Sequence, residues 1–563
     1  MNKKWQYYEE NTELAEKISK KYNISLLLAK ILVNKGIIED EQIQIFLNPT
    51  RKNFYDPFLL KDMEKAVNRI ITAINNSEGI VIYGDYDVDG ITSTTVLKKY
   101  LEERGMEVYY YIPNRLDEGY GLNKEAIDTI IEKYNSKLLI TVDCGISGID
   151  EVEYLNSKGI DVIITDHHEP LDVLPNAYAV VDPKTEGNTY PFNQLAGVGV
   201  VFKLIQAISI KLNLDEKEYL KYLDLVCVGT ISDIVPLIDE NRVITKLGLK
   251  LVEVTKNIGL KTLLQSSGFN QINSNTISFG IAPRINACGR MGFAENALEL
   301  FLTEDLEKSY ELTDKLNEYN KERQEKEKAI FENAIKIIED NNENEKKAII
   351  IAGKNWHHGV IGIVASKITD IYYKPSILLC IEGDVCKGSG RSIPGIDLHE
   401  VLCECSKNLD KYGGHAMAVG LSTNIQKLEN FKEDVEKYLS NKDIDVLQQV
   451  INIDAIVSLK EIDTNIVKEL TALEPFGEAN KMPIFLFKNL KIDSIRSLTE
   501  GKHLKLTLKD ENNIINAIGF NLGKLAEEYQ LGDKVDVVGN LEINSFNGYE
   551  SVQINIRDIM KSL

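Results

Sequence analysis

At 563 residues the chain is long enough for three or four domains with substantial cores. A formal charge of −21 and a pI near 5.0 exclude a basic coat for duplex DNA, and seven cysteines without a C-x-x-C pair exclude a zinc knuckle and a disulfide framework. No run approaches about 18 uncharged apolar residues and the polar N-terminus lacks a signal core, so a soluble, cytoplasmic protein with buried reduced thiols is expected, without membrane attachment.

Residues 1–60 are amphipathic, end in Phe46-Leu47-Asn48-Pro49 and read as a helical N-terminal extension whose role the residues do not disclose. Next, Val81-Ile82-Tyr83 reads as an apolar strand running into Gly84-Asp85-Tyr86-Asp87-Val88-Asp89-Gly90. In extended chain alternate side chains share a face, so Asp85, Asp87 and Asp89 gather negative charge that calls for a cation. Oxygen ligands favour Mg²⁺ or Mn²⁺. A second strand, Lys137 to Val142, ends in Asp143-Cys144-Gly145, and a third, Asp161 to Thr165, ends in Asp166-His167-His168. The amphipathic segment Ile149 to Lys158 between them suits a βαβ crossover helix. Parallel strands follow, and ligands of such sheets gather outside the carboxyl ends of the strands, where these polar clusters lie. Asp233 sits among apolar neighbours in Val228-Gly229-Thr230-Ile231-Ser232-Asp233-Ile234; taken alone it suits a helix N-cap as well as a metal ligand.

Phe301 to Lys347 has helical apolar spacing at Leu302, Leu306, Tyr310, Leu316 and Tyr319, then at Ile330, Ala334 and Ile338, with a middle from Asn320 to Lys328 that is polar all round. A helix packed at both ends and bare at its centre reads as a bridge between domains. Residues 356–420 then carry Trp356-His357-His358-Gly359-Val360-Ile361-Gly362, Gly388-Ser389-Gly390-Arg391-Ser392, Asp397-Leu398-His399 and Gly413-Gly414-His415-Ala416. Glycines beside Ser389 and Arg391 suit either a phosphate cradle or a tight turn with a surface arginine. Beyond about residue 450 come five short alternating runs: Ile484 to Phe487, Leu504 to Leu508, Ile514 to Phe520, Val535 to Val538 and Val552 to Ile556. With an Asn547-Gly548 hairpin turn and a helical insert at Leu522 to Tyr529 they fit an OB-type barrel. Lys481 to Lys509 holds seven Lys/Arg against two Asp/Glu, the one basic stripe of the chain.

The four clusters Asp85 to Gly90, Asp143, Asp166-His167-His168 and Ser232-Asp233, in this order, resemble the motifs of the DHH phosphoesterase superfamily. Within it the chain is similar to RecJ-type single-strand-specific exonucleases, through Tyr111 to Gly121, Ala282 to Met291 and Leu473 to Asn480 as well; the motifs of residues 356–420 resemble a DHHA1 domain. The resemblance implies an α/β, multidomain fold: a parallel-sheet DHH domain at 61–300, a connecting helix at 301–347, a smaller α/β DHHA1 domain at 348–448 and a C-terminal OB-type barrel at 449–563.

It also implies a site in which Asp87, Asp89, Asp143, His167 and Asp233 hold two Mn²⁺ or Mg²⁺ ions, Asp143 bridging, His168 facing the scissile phosphate and Asp85 auxiliary. Many superfamily members carry histidine where this chain has Tyr83, so the ion held through Asp87 is expected to be completed by water. Substrate contacts would come from Arg115, Arg290, Ser389, Arg391 and His415, with Ser389 and Arg391 at a terminal 5′ phosphate. The implied activity is 5′-to-3′ hydrolysis of single-stranded DNA to mononucleotides in repair and recombination, by a monomer working with a single-strand-binding protein and a RecQ-type helicase. The alternatives are a DHH phosphodiesterase of short oligonucleotides or cyclic dinucleotides, and a non-catalytic DNA-binding relative. With neither a G-x-S-x-G elbow nor a P-loop in the chain, acyl transfer and P-loop nucleotide hydrolysis are disfavoured.

Overall fold

Val, Ile and Leu fill every position of Ile80–Ile82 and Leu138–Ile140, a composition that suits strands buried on both faces. In the computed structural model, which describes residues 3–9, 11–115, 118–442, 448–546 and 548–562, they lie at the centre of a five-stranded parallel sheet. Its spatial order is Val108–Tyr111, Gly79–Tyr83, Ser136–Val142, Asp161–Thr165 and Ala179–Val181. Chain order thus reverses between Gly79–Tyr83 and Ser136–Val142, and the crevice at such a switch point is where doubly wound sheets bind ligands. The expected crossover helix is present as Ile149–Ser157.

The chain divides into two compact units, Pro57–Asp233 with Leu251–Gln448, and Met1–Asp56 with Ile234–Lys250 and Gln449–Leu563. The first contains the parallel sheet and a second, mixed five-stranded sheet ordered Lys411–His415, Ala418–Asn424, Val385–Arg391, Ser376–Glu382, Ile349–Lys354. Helix His358–Tyr372 covers one face of that sheet, and helices Leu398–Glu404 and Leu428–Ser440 the other.

One 35-residue helix, Leu306–Asp340, capped by Asp305, joins the two sheets' cores over about 50 Å. Leu316, Ile330, Ala334 and Ile338 are buried as expected, but the first turns differ. Leu306 and Tyr310 are about half exposed, and the buried positions of that first stretch include Ser309 and Thr313, whose hydroxyls meet the Thr262 hydroxyl at 2.7 and 2.9 Å. Small hydroxyl side chains let the helices approach where larger apolar ones would hold them apart. The centre is not bare either: Asn320 and Glu327 are buried, Arg323 binds both, and Lys367 pairs with Glu327. Leu302 belongs to a separate helix, Ala294–Leu302.

In the second unit Phe485–Leu498, His503–Lys509, Ile514–Gly519, Tyr549–Lys561 and Lys534–Phe546 close into a five-stranded barrel through pairing of the first with the last. The Asn547-Gly548 turn involves Asn547, which lies outside the described residues, and Phe546 pairs with Tyr549 across it. The helical insert is the single short turn Gly523–Glu527. The N-terminal segment is built into this unit: Lys4–Tyr7 pairs in parallel with Val450–Ile453, and Leu28, Ala29, Ile31 and Leu32 join one core with Leu504, Leu506 and Leu508. Arg242, 1 % exposed, donates to the carbonyls of Phe46, Ala472, Leu473 and Glu474 and lies 3.6 Å over the Phe46 ring. Among the described residues no helix is long and apolar enough to cross a membrane.

Candidate active site

Each acidic cluster stands where its strand ends. Tyr83 closes the first strand, and the turn after it places Asp87 as N-cap of helix Val88–Glu102, its carboxylate accepting from Asp89 N and Gly90 N at 2.9 and 3.1 Å. At the second position of that helix Asp89 is fully buried and accepts from Gly197 N at 2.6 Å and Val198 N at 2.8 Å, the first amides of helix Gly197–Lys211. Gly197 is required by space, since a Cβ there would stand 2.6 Å from Asp143 Oδ1. Gly229 backs the same carboxylates, with its hypothetical Cβ 2.3 Å from Thr92 Oγ1 and 3.1 Å from Asp89 Oδ1. Asp143 takes the left-handed conformation, φ 60°, directly after its strand, an uncommon choice for a non-glycine residue.

His167 ties the groups together: its Nε2 is 3.1 Å from Asp143, 3.6 Å from Asp233 and 4.0 Å from Asp89. Three sets of ligand atoms lie within 4.8 Å of one another, namely Asp85 with Asp87 and Asp143, Asp89 with His167 and Asp233, and Asp143 with His167 and His168. Asp143 is common to two sets. Asp233 is the C-cap of helix Leu223–Ser232, so the N-cap alternative does not apply.

The electrostatics are those of a cation site. Asp85 Oδ1, Asp143 Oδ1, His167 Nε2 and Asp233 Oδ2 are buried with no hydrogen-bond partner among the described residues. Burial, then the neighbouring carboxylates, hold Asp85, Asp143 and Asp233 well above the usual carboxylate range and push Asp89 up to about 7. Burial and His168 push His167 down to about 3, leaving the neutral imidazole that ligation needs. Carboxylates with one imidazole fit Mn²⁺ or Mg²⁺, whose charge would relieve the like-charge crowding.

Tyr83 is turned away from this centre, its hydroxyl donating to Gly121 O at 2.9 Å and its ring stacked on Tyr111. Asp85, expected as an auxiliary group, has a carboxylate oxygen grouped with those of Asp87 and Asp143. His168 sits at the rim, Nδ1 2.7 Å from Asp166. Asp166 is itself held by the amides of Ile146, His167 and His168. Burial works to lower the His168 pKa, but the Asp166 hydrogen bond and charge outweigh it and lift it to about 9. The Tyr120 hydroxyl donates to Asp143 O at 3.2 Å and stands 3.1 Å from His168 Nδ1.

The arginines converge nearby. Arg290 donates to Gly359 O at 2.9 Å, and Arg391 to Ser389 Oγ and Gly390 O at 3.1 and 2.7 Å. Arg115 lies 5.0 Å over the Tyr86 ring, between two of the aspartates. Neither Arg290 nor Arg391 has a carboxylate partner among the described residues. Burial and the charges of Arg115, Arg323 and Arg391 bring Arg290 down to about 10. Gly362 makes room for this group, because a Cβ there would be 2.9 Å from Ser389 Oγ and 3.1 Å from Arg391 Nη2. Arg323, on the long helix, adds a further positive charge beside Arg290 and escaped the sequence reading, which took that stretch as solvated. His415 is exposed on the edge strand in the row His415, Ala418, Arg391, without a hydrogen bond to Ser389 or Arg391 among the described residues.

This geometry accords with known proteins. The DHH family N-terminal domain matches residues 79–230, the DHHA1 domain residues 345–441 and the RecJ OB domain residues 453–558. The single-stranded-DNA-specific exonuclease RecJ of Bacillus subtilis is 39 % identical over 99 % of this chain and 70 % of its own length, and that of Haemophilus influenzae 34 % over 90 % and 92 %. The crystal structure of RecJ in complex with Mn²⁺ from Thermus thermophilus superposes with a TM-score of 0.87 at 30 % identity, covering 100 % of this chain and 80 % of that one. The corresponding Mg²⁺ complex gives 0.80 at 28 %, covering 100 % and 79 %. Carrying the DHH, DHHA1 and RecJ OB domains in order and matching these relatives along nearly its whole length, this chain belongs to the RecJ family.

Proposed function

We propose that this protein is a metal-dependent, single-strand-specific DNA exonuclease that enters at the 5′ end and releases nucleoside 5′-monophosphates. The observation that carries the reading is the cluster of orphaned, buried ligand atoms at the switch point of the sheet, in the same unit as Arg290 and Arg391, which face no carboxylate among the described residues. Asp85, Asp87 and Asp143 would hold one Mn²⁺ or Mg²⁺ ion and Asp89, His167 and Asp233 the other, with Asp143 shared. Two such ions, when bound, clamp the attacking and leaving oxygens of a phosphodiester and lower the pKa of a bound water.

The chain's own groups do the rest. Asp89 is fixed by two helix amides, so the ligand set is organised before any cation arrives. His168, held protonated by Asp166, presents a positive N–H to the scissile phosphate and can give its proton to the departing oxygen. Arg115, Arg290, Arg391 and Ser389 take the terminal 5′ phosphate, with His415 along the same sheet. The barrel, whose first two strands carry the basic stripe, binds single strand in a sequence-tolerant way. Two protein partners, a single-strand-binding protein and a RecQ-type helicase, are proposed on the family resemblance.

The test is a long single-stranded DNA labelled at its 3′ end, with and without a 5′ phosphate, incubated with Mn²⁺ and followed for product length. Label retained on progressively shorter strands, faster with the phosphate, is the expected result. Immediate release of labelled mononucleotide would reverse the polarity, and absence of cleavage would remove the exonuclease reading.

A further inference from the structure

Beside Arg115, on the side of Tyr86 where Gly289 packs against its carbonyl, lies a cavity of about 360 Å³, within the range of about 300–1,000 Å³ usual for small-molecule sites. The groups that matter in its wall are Asn114, Arg115, Glu118, Phe293, Glu295 and Asn296. Phe293 is 47 % exposed, an unusual state for a phenylalanine in a helix–helix turn. One face of its ring is accounted for: it stacks on Tyr319 of the long helix with centroids 4.8 Å apart and planes 11° from parallel. Asn296 donates to the Tyr319 hydroxyl at 3.2 Å and holds that pair in place. Phe293 also lines the cavity.

The polar groups of the wall have the wrong sign for a second phosphate. Glu118 and Glu295 line it, Glu118 held by the Tyr111 hydroxyl and by Asn114 N at 2.9 and 3.1 Å. Carboxylates and carboxamides around a ring face suit a planar, neutral, nitrogen-rich group whose edge offers donors and acceptors. Such a group beside a guanidinium is a nucleotide with its phosphate on the arginine and its base in the cavity. We propose that this cavity receives the nucleobase of the strand's 5′-terminal nucleotide, stacked on Phe293 as the third member of a Tyr319, Phe293, base column. The inference rests on the reading that Arg115, Arg290, Ser389 and Arg391 hold the terminal phosphate, and adds a base subsite to it. Stacking accepts every base, so the subsite contributes affinity without sequence preference.

The experiment uses the full chain and 5′-phosphorylated single strands carrying one abasic residue at the first, second or third position. With an abasic first residue, KM for the first cleavage rises about tenfold while kcat stays within about twofold. Phe293→Ala gives the same rise in KM on ordinary DNA and no further rise on the abasic strand, whereas Phe293→Trp behaves as wild type. An unchanged KM for the abasic first residue, or an effect only at the second or third position, overturns the assignment. A readout free of hydrolysis separates it from the 5′-end reading: 2-aminopurine at the terminal position, bound to the Asp143→Asn protein, is quenched, and Phe293→Ala removes the quenching. Quenching that survives Phe293→Ala overturns the base subsite, whereas strands cut from the 3′ end in the labelling experiment overturn the 5′-end reading.

Discussion

At the scale of single residues, the active site is an arrangement for keeping like charges together until a cation joins them. Asp143→Ala removes the carboxylate common to two of the three ligand sets, so hydrolysis should fall by at least about a thousandfold while circular dichroism stays unchanged, the loss expected when a two-ion clamp is dismantled. Gly197→Ala is the subtler change. Its methyl group would press on Asp143 and displace the amides that hold Asp89, and the expected outcome is weaker Mn²⁺ binding by calorimetry with a native-like melting profile.

The same crowding has a pH signature. Burial, then Asp87, raise Asp89 to about 7 in the metal-free protein, far above the roughly 3.9 of an unfolded aspartate. Between those values the folded state keeps a proton that the unfolded chain has released, so metal-free stability falls as pH rises from about 4 to about 7. Thermal melts in EDTA should show that decline, and saturating Mn²⁺, which binds the ionised folded form, should flatten or reverse it. A metal-free protein equally stable at both ends of the window would argue against this charge arrangement.

At the scale of elements, the long helix is held at its two ends by apolar packing and at its centre by a polar knot. Arg323 and Glu327 have side chains only 11 % and 7 % exposed, with Asn320 and Lys367 completing the set. Removing one member of such a buried pair strands the other's charge. Glu327→Ala should therefore cost about 3 kcal/mol in urea unfolding, and the double change Glu327→Leu with Arg323→Met should recover most of it. The helix's burial pattern explains why sequence periodicity misjudged it: Leu306 and Tyr310 look like core residues, yet Thr262 approaches so closely that only Ser309 and Thr313 fit between.

At the scale of the whole molecule, the N-terminal segment and the barrel form one folding unit. Leu28, Ile31 and Leu32 are fully buried in the core that also holds Leu504, Leu506 and Leu508. Removing residues 1–56 should therefore expose that core and yield protein that binds a hydrophobic dye or precipitates, so a barrel deletion intended to test strand binding must take the N-terminal segment with it. A gentler test is Arg496→Ala with Lys505→Ala, which pair across the first two barrel strands. Affinity for a long single strand should drop, and the salt slope of log K should shallow by about 0.7 for each phosphate the protein no longer neutralises. Circular dichroism would stay as in the wild type.

What the sequence determined by itself was whatever local pattern governs. Apolar runs leading into Asp85, Asp143 and Asp166 located the parallel strands and the end of the sheet where the acidic clusters gather, because a buried strand leaves its polar residues no place but its mouth. The alternating runs after residue 450 revealed a barrel, since period two is the signature of a strand with one wet face. Tertiary structure decided the rest, and in each case the reason is an interaction between residues distant in sequence. The Tyr83 hydroxyl found the Gly121 carbonyl; Arg323 was drawn into the interior by Glu327 and Asn320; Phe293 was paired with Tyr319 beside a cavity. Residues 1–56 acquired a role only once the barrel offered an apolar face to cover, because burial depends on the partner surface as much as on the segment itself.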